Sequence, residues 1–240
     1  MIILLSPAKT FAKTITPFES SPIFQSDALS MIAKLSKMSA SNLSQKMHIS
    51  KDLSLKVKSD YMTFNQIISS AIYFYDGYAF KGFAIHSLNE KNLLYLQDHL
   101  YMLSGLYGLV RPFDGISAYR LEIKDQIIKN LYAFWKPKLM EYLSSTHPNE
   151  LFINLASQEY SKVLHHFLPV LTISFYERSN DQLKAISMHV KMMRGKMANY
   201  LIINEINDKE QIKQIAIDDY HYDPHQSSKF EYIFIKEIHQ

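Results

Sequence analysis

The sequence predicts a mixed α/β (α+β) fold: one domain over residues 1–240, built on a mixed sheet with flanking helices. Three observations carry this. A short apolar run, Ile2–Leu5, is closed at once by Ser6-Pro7, as a buried strand entering a loop would be. The second half alternates apolar strand-length runs with helix-patterned segments. An apolar share of 47%, with 13% aromatic and 20% charged residues, is enough for a substantial core and argues against disorder. No repeat, low-complexity tract or long linker divides the 240 residues.

Along the chain, residues 14–22 hold two prolines and several Ser/Thr and read as a surface loop. Leu29, Ile32, Leu35 and Met38 have helical spacing, and similar patterns run through Leu43–Met47, Leu53–Val57 and Phe64–Phe74. Tyr75–Phe83 reads as turn-rich. Ser87-Leu88-Asn89-Glu90 forms a capping box ahead of an apolar run, which predicts a helix from about Leu88 to Leu103, ending at Gly105. A loop with Arg111-Pro112 and Asp114-Gly115 leads to a strand at Ala118–Ile123, then a helix over about Asn130–Leu143 with the single tryptophan, Trp135. Leu151–Leu155 reads as a strand, and Ser157 with Tyr160 opens a short helix. Val170–Tyr176 and Leu183–His189 read as strands, Val190–Asn204 as a helix interrupted at Gly195, and Lys229–Ile235 as a terminal strand of alternating polarity.

Composition closes several doors. Lys and Arg number 26 against 23 Asp and Glu, a net charge of +3, far from that of a nucleic-acid-coating tail. Cysteine is absent, which removes disulfides, thiolate catalysis and Cys-ligated zinc. MIILLSPAKT lacks the basic region and longer apolar run of a signal peptide, and no apolar stretch reaches about 18 residues. A cytoplasmic protein without a membrane span is the expectation. The histidines are scattered, with His165-His166 adjacent on a helix and His221 and His225 in a polar loop. No HExxH-like spacing occurs, so no metal site and no cofactor are expected. Neither a Gly-x-Ser-x-Gly elbow nor a P-loop is present.

Two scarcities mark the segments that could carry chemistry. Average usage of about 7% would give roughly 17 glycines, yet there are six: Gly77, Gly82, Gly105, Gly108, Gly115 and Gly195. Only four of the basic residues are arginine: Arg111, Arg120, Arg178 and Arg194. Ser104-Gly105-Leu106-Tyr107-Gly108, after a capped helix, suits a tight hairpin whose amides could hold a backbone phosphate, as helix-hairpin-helix modules do. A Gly-rich cap followed by a turn explains the same pattern. Arg111 and Arg120 each have an acid nearby, and Arg120 and Glu122 at i, i+2 would share a strand face. They could grip phosphate or carboxylate, or pin a loop as ion pairs. Ser6, Lys9 and Thr10 follow the first strand, where ligands gather in open α/β sheets. Asn154, Ser157 and Glu159 occupy a similar strand-to-helix junction, with Ser157 a natural N-cap. Lys191 and Arg194 lie on one helical face, the usual pattern of a solvated basic surface. Arg178 reads as a surface residue.

Taken in order, SPAKT at 6–10, LYMLSGLYGLVRPFD at 100–114, YRLEI at 119–123, LYAFW at 131–135, INLASQEY at 153–160 and RGKM at 194–197 resemble the blocks of the YaaA family. The blocks span nearly the whole chain. The resemblance implies a bacterial cytoplasmic protein of peroxide-stress resistance, linked to lowering free iron and so to limiting oxidative DNA damage. It implies a compact α/β fold with a helix-hairpin-helix-like element, here at Leu103–Gly108, and a basic cleft that binds double-stranded DNA. Ser6, Lys9, Ser104, Tyr107, Arg111, Tyr119, Arg120, Glu122, Asn154, Ser157, Glu159, Lys191 and Arg194 match the family blocks and would line that cleft. The chain also departs from the family: Gly77-Tyr78-Ala79-Phe80 stands where a Gly-Asp-Val-Tyr-like run is usual. Met192 and Met193 replace a common Lys-Ala pair, and Asn199 stands where Arg is frequent.

Three functional classes follow. A DNA-binding stress protein would use the hairpin with Lys9, Arg111, Arg120, Lys191 and Arg194. An enzyme on a small anionic or nucleotide-like substrate would use Glu122 or Glu159 as general acid or base, with Lys9 and Arg120 holding the anion. Direct iron sequestration is the least supported, because the ligand inventory is poor.

Overall fold

The computed structural model describes residues 1–164 and 169–238. Strand β1 (Ile2–Leu5) consists of four buried aliphatic residues, the continuous apolar run of a strand covered on both faces. Helices α1 (Gln25–Leu35), α2 (Ala40–Met47) and α3 (Lys51–Met62) follow. Ser39 caps α2 by accepting from Asn42 N (3.2 Å), and Ser50 caps α3 by accepting from Leu53 N (3.3 Å). His48, at φ 52°, turns the chain between them. The helical pattern at Phe64–Phe74 resolves into a turn, a two-residue strand β2 (Ser69–Ser70) and one helical turn, α4 (Ala71–Phe74).

Next come α5 (Tyr78–Phe83), α6 (Glu90–His99), β3 (Leu100–Ser104), β4 (Gly108–Val110) and β5 (Gly115–Ile116). Helix α7 (Leu131–Thr146), β6 (Phe152–Asn154) and α8 (Gln158–Ser161) precede β7 (Val170–Ser179) and β8 (Gln182–Lys184). The chain then forms α9 (Ser187–Ile203), α10 (Lys209–Ile212), β9 (Ala216–Ile217), β10 (Tyr220–Tyr222) and β11 (Glu231–Glu237). Nine strands form one mixed sheet in the order β4-β3-β1-β6-β7-β11-β10-β9, with β8 paired to β7. The five from β3 to β11 are parallel, and antiparallel strands close both sides. The expected α/β class and mixed sheet are the ones found.

Several local expectations are corrected. The helix expected over Leu88–Leu103 starts at Glu90, with a capping box between Asn89 and Asn92 rather than the expected Ser87 and Glu90, and stops at His99. Leu100–Ser104 is buried throughout and pairs with β1, so the demand for a central strand overrides the helical continuation. The helix-hairpin-helix-like element expected at Leu103–Gly108 is instead a β-hairpin between β3 and β4. Its amides are not open to a phosphate: Ser104 Oγ accepts from Leu106 N (3.2 Å) and Tyr107 N (3.0 Å). Trp135 Nε1 donates to Gly105 O (2.9 Å), and Gly108, at φ +69°, lies so close to the indole that a Cβ would fall 2.5 Å from a ring carbon. A helix–turn–helix unit does exist, at α2–α3.

Tyr75–Phe83, expected as turns, contains α5. Glycines on both helices serve close packing: a Cβ on Gly82 of α5 would sit 2.2 Å from Met192 O of α9, and one on Gly195 of α9 would sit 1.8 Å from Ala79 O of α5. For the same reason Gly195 does not interrupt α9. The strand expected at Ala118–Ile123 finds no pairing partner and runs as irregular chain. Leu183–His189 divides into β8 and the start of α9. His221 lies in β10 rather than a loop, and His165-His166 fall outside the described residues.

Candidate functional site

Register places the site. Leu4 aligns with Asn154 across β1 and β6, so the loops after both strands leave the same sheet edge side by side. Carboxyl ends of adjacent parallel strands form the crevice where α/β sheets hold ligands. Ser157 N donates to Ser6 Oγ (2.8 Å) and the two hydroxyls lie 3.2 Å apart, which ties the loops together. Thr10 fastens the first loop to the α5 entry: Asp76 N donates to Thr10 O (2.9 Å), and the Thr10 hydroxyl donates to Asp76 O. Helices α5 and α9 close the opposite wall across their glycine contacts.

The result is a cleft of about 560 Å³ lined by residues 6–10, 76–81, Glu122, Leu155, Ser157, Glu159, Tyr160, Lys191 and Arg194. Its floor carries a linked charge cluster. Lys9 Nζ lies 2.5 Å from Glu122 Oε1, Lys124 Nζ lies 3.3 Å from Glu122 Oε2 and 2.9 Å from Glu159 Oε2, and Arg120 reaches Glu122 at 3.8 Å. Burial works to raise the Glu122 pKa, but the ammonium groups of Lys9 and Lys124 outweigh it and hold the carboxyl below its ordinary value. Lys124 is pushed up by its hydrogen bond to Glu159 and by the Glu122 charge. A carboxyl held this low is a poor general acid near neutral pH.

Two polar atoms in the lining are sealed from solvent without a hydrogen-bond partner: Glu159 Oε1 and Arg194 Nε. The Arg194 guanidinium has neither an acceptor nor a carboxylate partner among the described residues, and burial lowers its pKa. Each such atom costs about 1–3 kcal/mol until something pairs with it.

Sequence-derived candidates divide accordingly. Ser6, Lys9, Thr10, Glu122, Ser157, Glu159, Lys191 and Arg194 share the cleft, and Arg120 stands behind it on Glu122. Tyr119 and Ser104 lie beneath, buried: Tyr119 OH contacts Ser104 Oγ (2.7 Å) and Tyr75 OH (2.8 Å), and burial pushes its pKa up to about 12. Gly105, Tyr107 and Gly108 are core residues of the hairpin, with Tyr107 OH accepting from Ser117 N (3.0 Å). Arg111 pins a loop, holding buried Asp114 (3.0 Å) and donating to Ser21 O (3.2 Å). Asn154 turns away from the cleft, donating to Thr172 Oγ1 (3.2 Å) and accepting from Ala156 N (3.0 Å).

The α5 wall, with Asp76, Tyr78 and Lys81, was missed as a site element, although the rare Gly77 and Gly82 mark it. Asp76 supplies a carboxylate to the cleft lining. Asn199 is structural, donating to Phe83 O (2.7 Å) and Ser87 Oγ (3.1 Å).

Residues 1–226 match the sequence profile of the family described as peroxide stress protein YaaA. The chain belongs to that family. Its relatives include UPF0246 proteins of Crocosphaera subtropica (36% identity, 98% of this chain and 100% of the relative), Legionella pneumophila (34%, 98% and 99%) and Clostridium beijerinckii (31%, 100% and 99%). Family membership thus spans the strand-end loops, α5 and α9, so the cleft lies wholly inside the family's matched region. Among the described residues, no helix is long and apolar enough to cross a membrane, and no cluster of three His, Asp or Glu side chains is placed to hold a metal.

Proposed function

We propose that this protein acts in peroxide-stress protection in the cytoplasm by binding double-stranded DNA along the basic face around the cleft. Limitation of free iron and of oxidative DNA damage would follow indirectly. The observation that carries the reading is Arg194, a guanidinium on the cleft wall with no protein counter-charge, beside exposed Lys191. Cations kept without acid partners are available for phosphate. Exposed Lys46 and Lys51 on α2 and α3 offer further backbone contacts in place of the buried β3–β4 hairpin, while Lys56 pairs with Asp60 (2.9 Å) and Lys58 donates to Ser36 O.

Titration of a fluorescent duplex at several salt concentrations tests this. Affinity should fall steeply with salt, and Lys191→Ala and Arg194→Ala should each reduce the log–log slope by about 1. No binding at low ionic strength would overturn it. A second reading, an enzyme acting on a small anionic substrate, is favoured by one feature: Lys124 draws Glu122 and Glu159 together at one end of a cavity within the usual small-ligand range of about 300–1,000 Å³.

A further inference from the structure

The charges in the cleft are unevenly balanced, and the imbalance describes a ligand. At one end, Glu122 and Glu159 are matched by Lys9 and Lys124 at 2.5–3.3 Å. Glu159 Oε2 is engaged by Lys124 while Oε1 is buried and without a partner. The acceptor left over is already charge-compensated, so it suits an uncharged N–H donor better than an ammonium group.

At the other end, Lys191 and Arg194 have no acid partner among the described residues, whereas Lys81 has Asp76 at 3.7 Å. Two uncompensated cations call for about two negative charges, as a phosphate monoester or two adjacent diesters carry. A free amino acid fits poorly, since it would bring one carboxylate and set its ammonium against an already neutralised carboxylate. Tyr78 is 44% exposed and lines the same cavity, with Lys81 Nζ 5.9 Å from its ring centroid, so it adds an aromatic surface to the cleft.

We propose that the cleft is a single-nucleotide site: the phosphate on Lys191 and Arg194, an amino or imino edge of the base on Glu159, and the ring against Tyr78. The nucleotide could arrive free or as an unpaired residue of a DNA strand swung out of the stack. This deepens the DNA-binding reading, and only the second source depends on it.

The experiment is calorimetric titration of the purified protein with the four deoxynucleoside 5′-monophosphates, against deoxyribose 5-phosphate and inorganic phosphate. At least one nucleotide should bind tenfold or more tighter than deoxyribose 5-phosphate. Glu159→Gln should bring that preference down to within about threefold without weakening deoxyribose 5-phosphate binding, because it removes a negative charge from the cleft, whereas Arg194→Lys should weaken both; thermal melts confirm that each variant is folded. Nucleotides that bind no better than deoxyribose 5-phosphate, or a preference that survives Glu159→Gln, would overturn the assignment.

A parallel arm uses duplexes with 2-aminopurine, either fully paired or in a one-nucleotide bulge. Tighter binding and a fluorescence rise with the bulge identify DNA as the source. If both duplexes bind equally, fluorescence stays flat and free nucleotides fail, the single-nucleotide site is overturned while DNA binding stands. If nucleotides bind and neither duplex does, the site stands and the DNA reading falls.

Discussion

Gly195→Ala is the sharpest probe of how the cleft is built. The added methyl would lie 1.8 Å from Ala79 O and 2.7 Å from Phe83 N, both backbone atoms of the α5 region that cannot rotate aside. Restoring ordinary contact requires α9 and α5 to separate by more than about 1 Å. Overpacking of this kind costs about 1–3 kcal/mol, and a clash with rigid backbone belongs at the upper end. Alanine returns about 1 kcal/mol through helix propensity. The net is about 2 kcal/mol, or a fall in Tm of about 4–8 °C for a chain of this size. Differential scanning calorimetry reads the shift, and Gly77→Ala, whose methyl would meet Ala8 Cβ at 3.0 Å, provides a milder comparison that should lose less. A separated α5 also moves Tyr78 away from Arg194, so ligand affinity should fall as well. An unchanged or raised Tm would refute the packing argument, because propensity alone favours alanine.

Arg111→Ala removes the charge partner of buried Asp114, which keeps Ser20 Oγ (2.7 Å) and Arg111 N (2.8 Å). A loss of about 2 kcal/mol is expected by denaturant titration, with duplex affinity unchanged because the side chain is committed to its loop; an affinity loss would return Arg111 to the binding surface. Tyr119→Phe deletes two buried hydrogen bonds and should cost about 1–3 kcal/mol. Its effect should be less than additive with Tyr75→Phe in a double-mutant cycle, and strict additivity would mean the hydroxyls do not act together. Glu122 titrates below its ordinary value in the folded state, so its contribution is present above about pH 4.5 and lost as pH falls further. The Tm of wild type relative to Glu122→Gln should therefore shrink in acid, and a gap that is constant from pH 6 to 3.5 would contradict the ion-pair assignment.

What was legible in the sequence is what local chemistry decides. The β1 boundaries follow from an apolar run cut by Ser-Pro, and the α8 start from Ser157, which holds the N-cap position although its side chain makes no capping bond; α6 starts later than expected, because Asn89 and Asn92 cap it in place of Ser87 and Glu90. The α6 end was not legible, because Leu100–Leu103 is apolar at every position and suits a buried helix or strand equally until β1 is there to pair with it. Helix α5 was hidden by Gly77 and Gly82, which locally signal turns, whereas Gly82 here admits the backbone of α9. The site followed the same division. Ser6, Lys9, Ser157 and Glu159 were found because strand ends are where parallel sheets place ligands. Arg111, Gly105 and Gly108 were rare residues for structural reasons, and nothing in the sequence separates a glycine that meets a ligand from one that meets Trp135.

The arginines carry the argument one step further. In a chain that meets most of its need for cations with 22 lysines, an arginine marks a place where a planar, multi-donor fork is required. Arg111 uses its fork on Asp114 and Ser21 O, and Arg178 bridges Asp223 (2.9 Å) and Glu237 (2.7 Å). Arg120 faces Glu122 across 3.8 Å. Arg194 alone of the four has no carboxylate within ion-pair distance among the described residues, although it is the one whose pKa is lowered by burial. A side chain that were only structural would be better as a lysine reaching solvent or as an apolar residue filling the α5–α9 seam, since an unpaired buried guanidinium destabilises the fold. Its place at the wall of a polar cavity, one helical turn from unpaired Lys191, is accounted for if the missing acceptor comes from outside the chain.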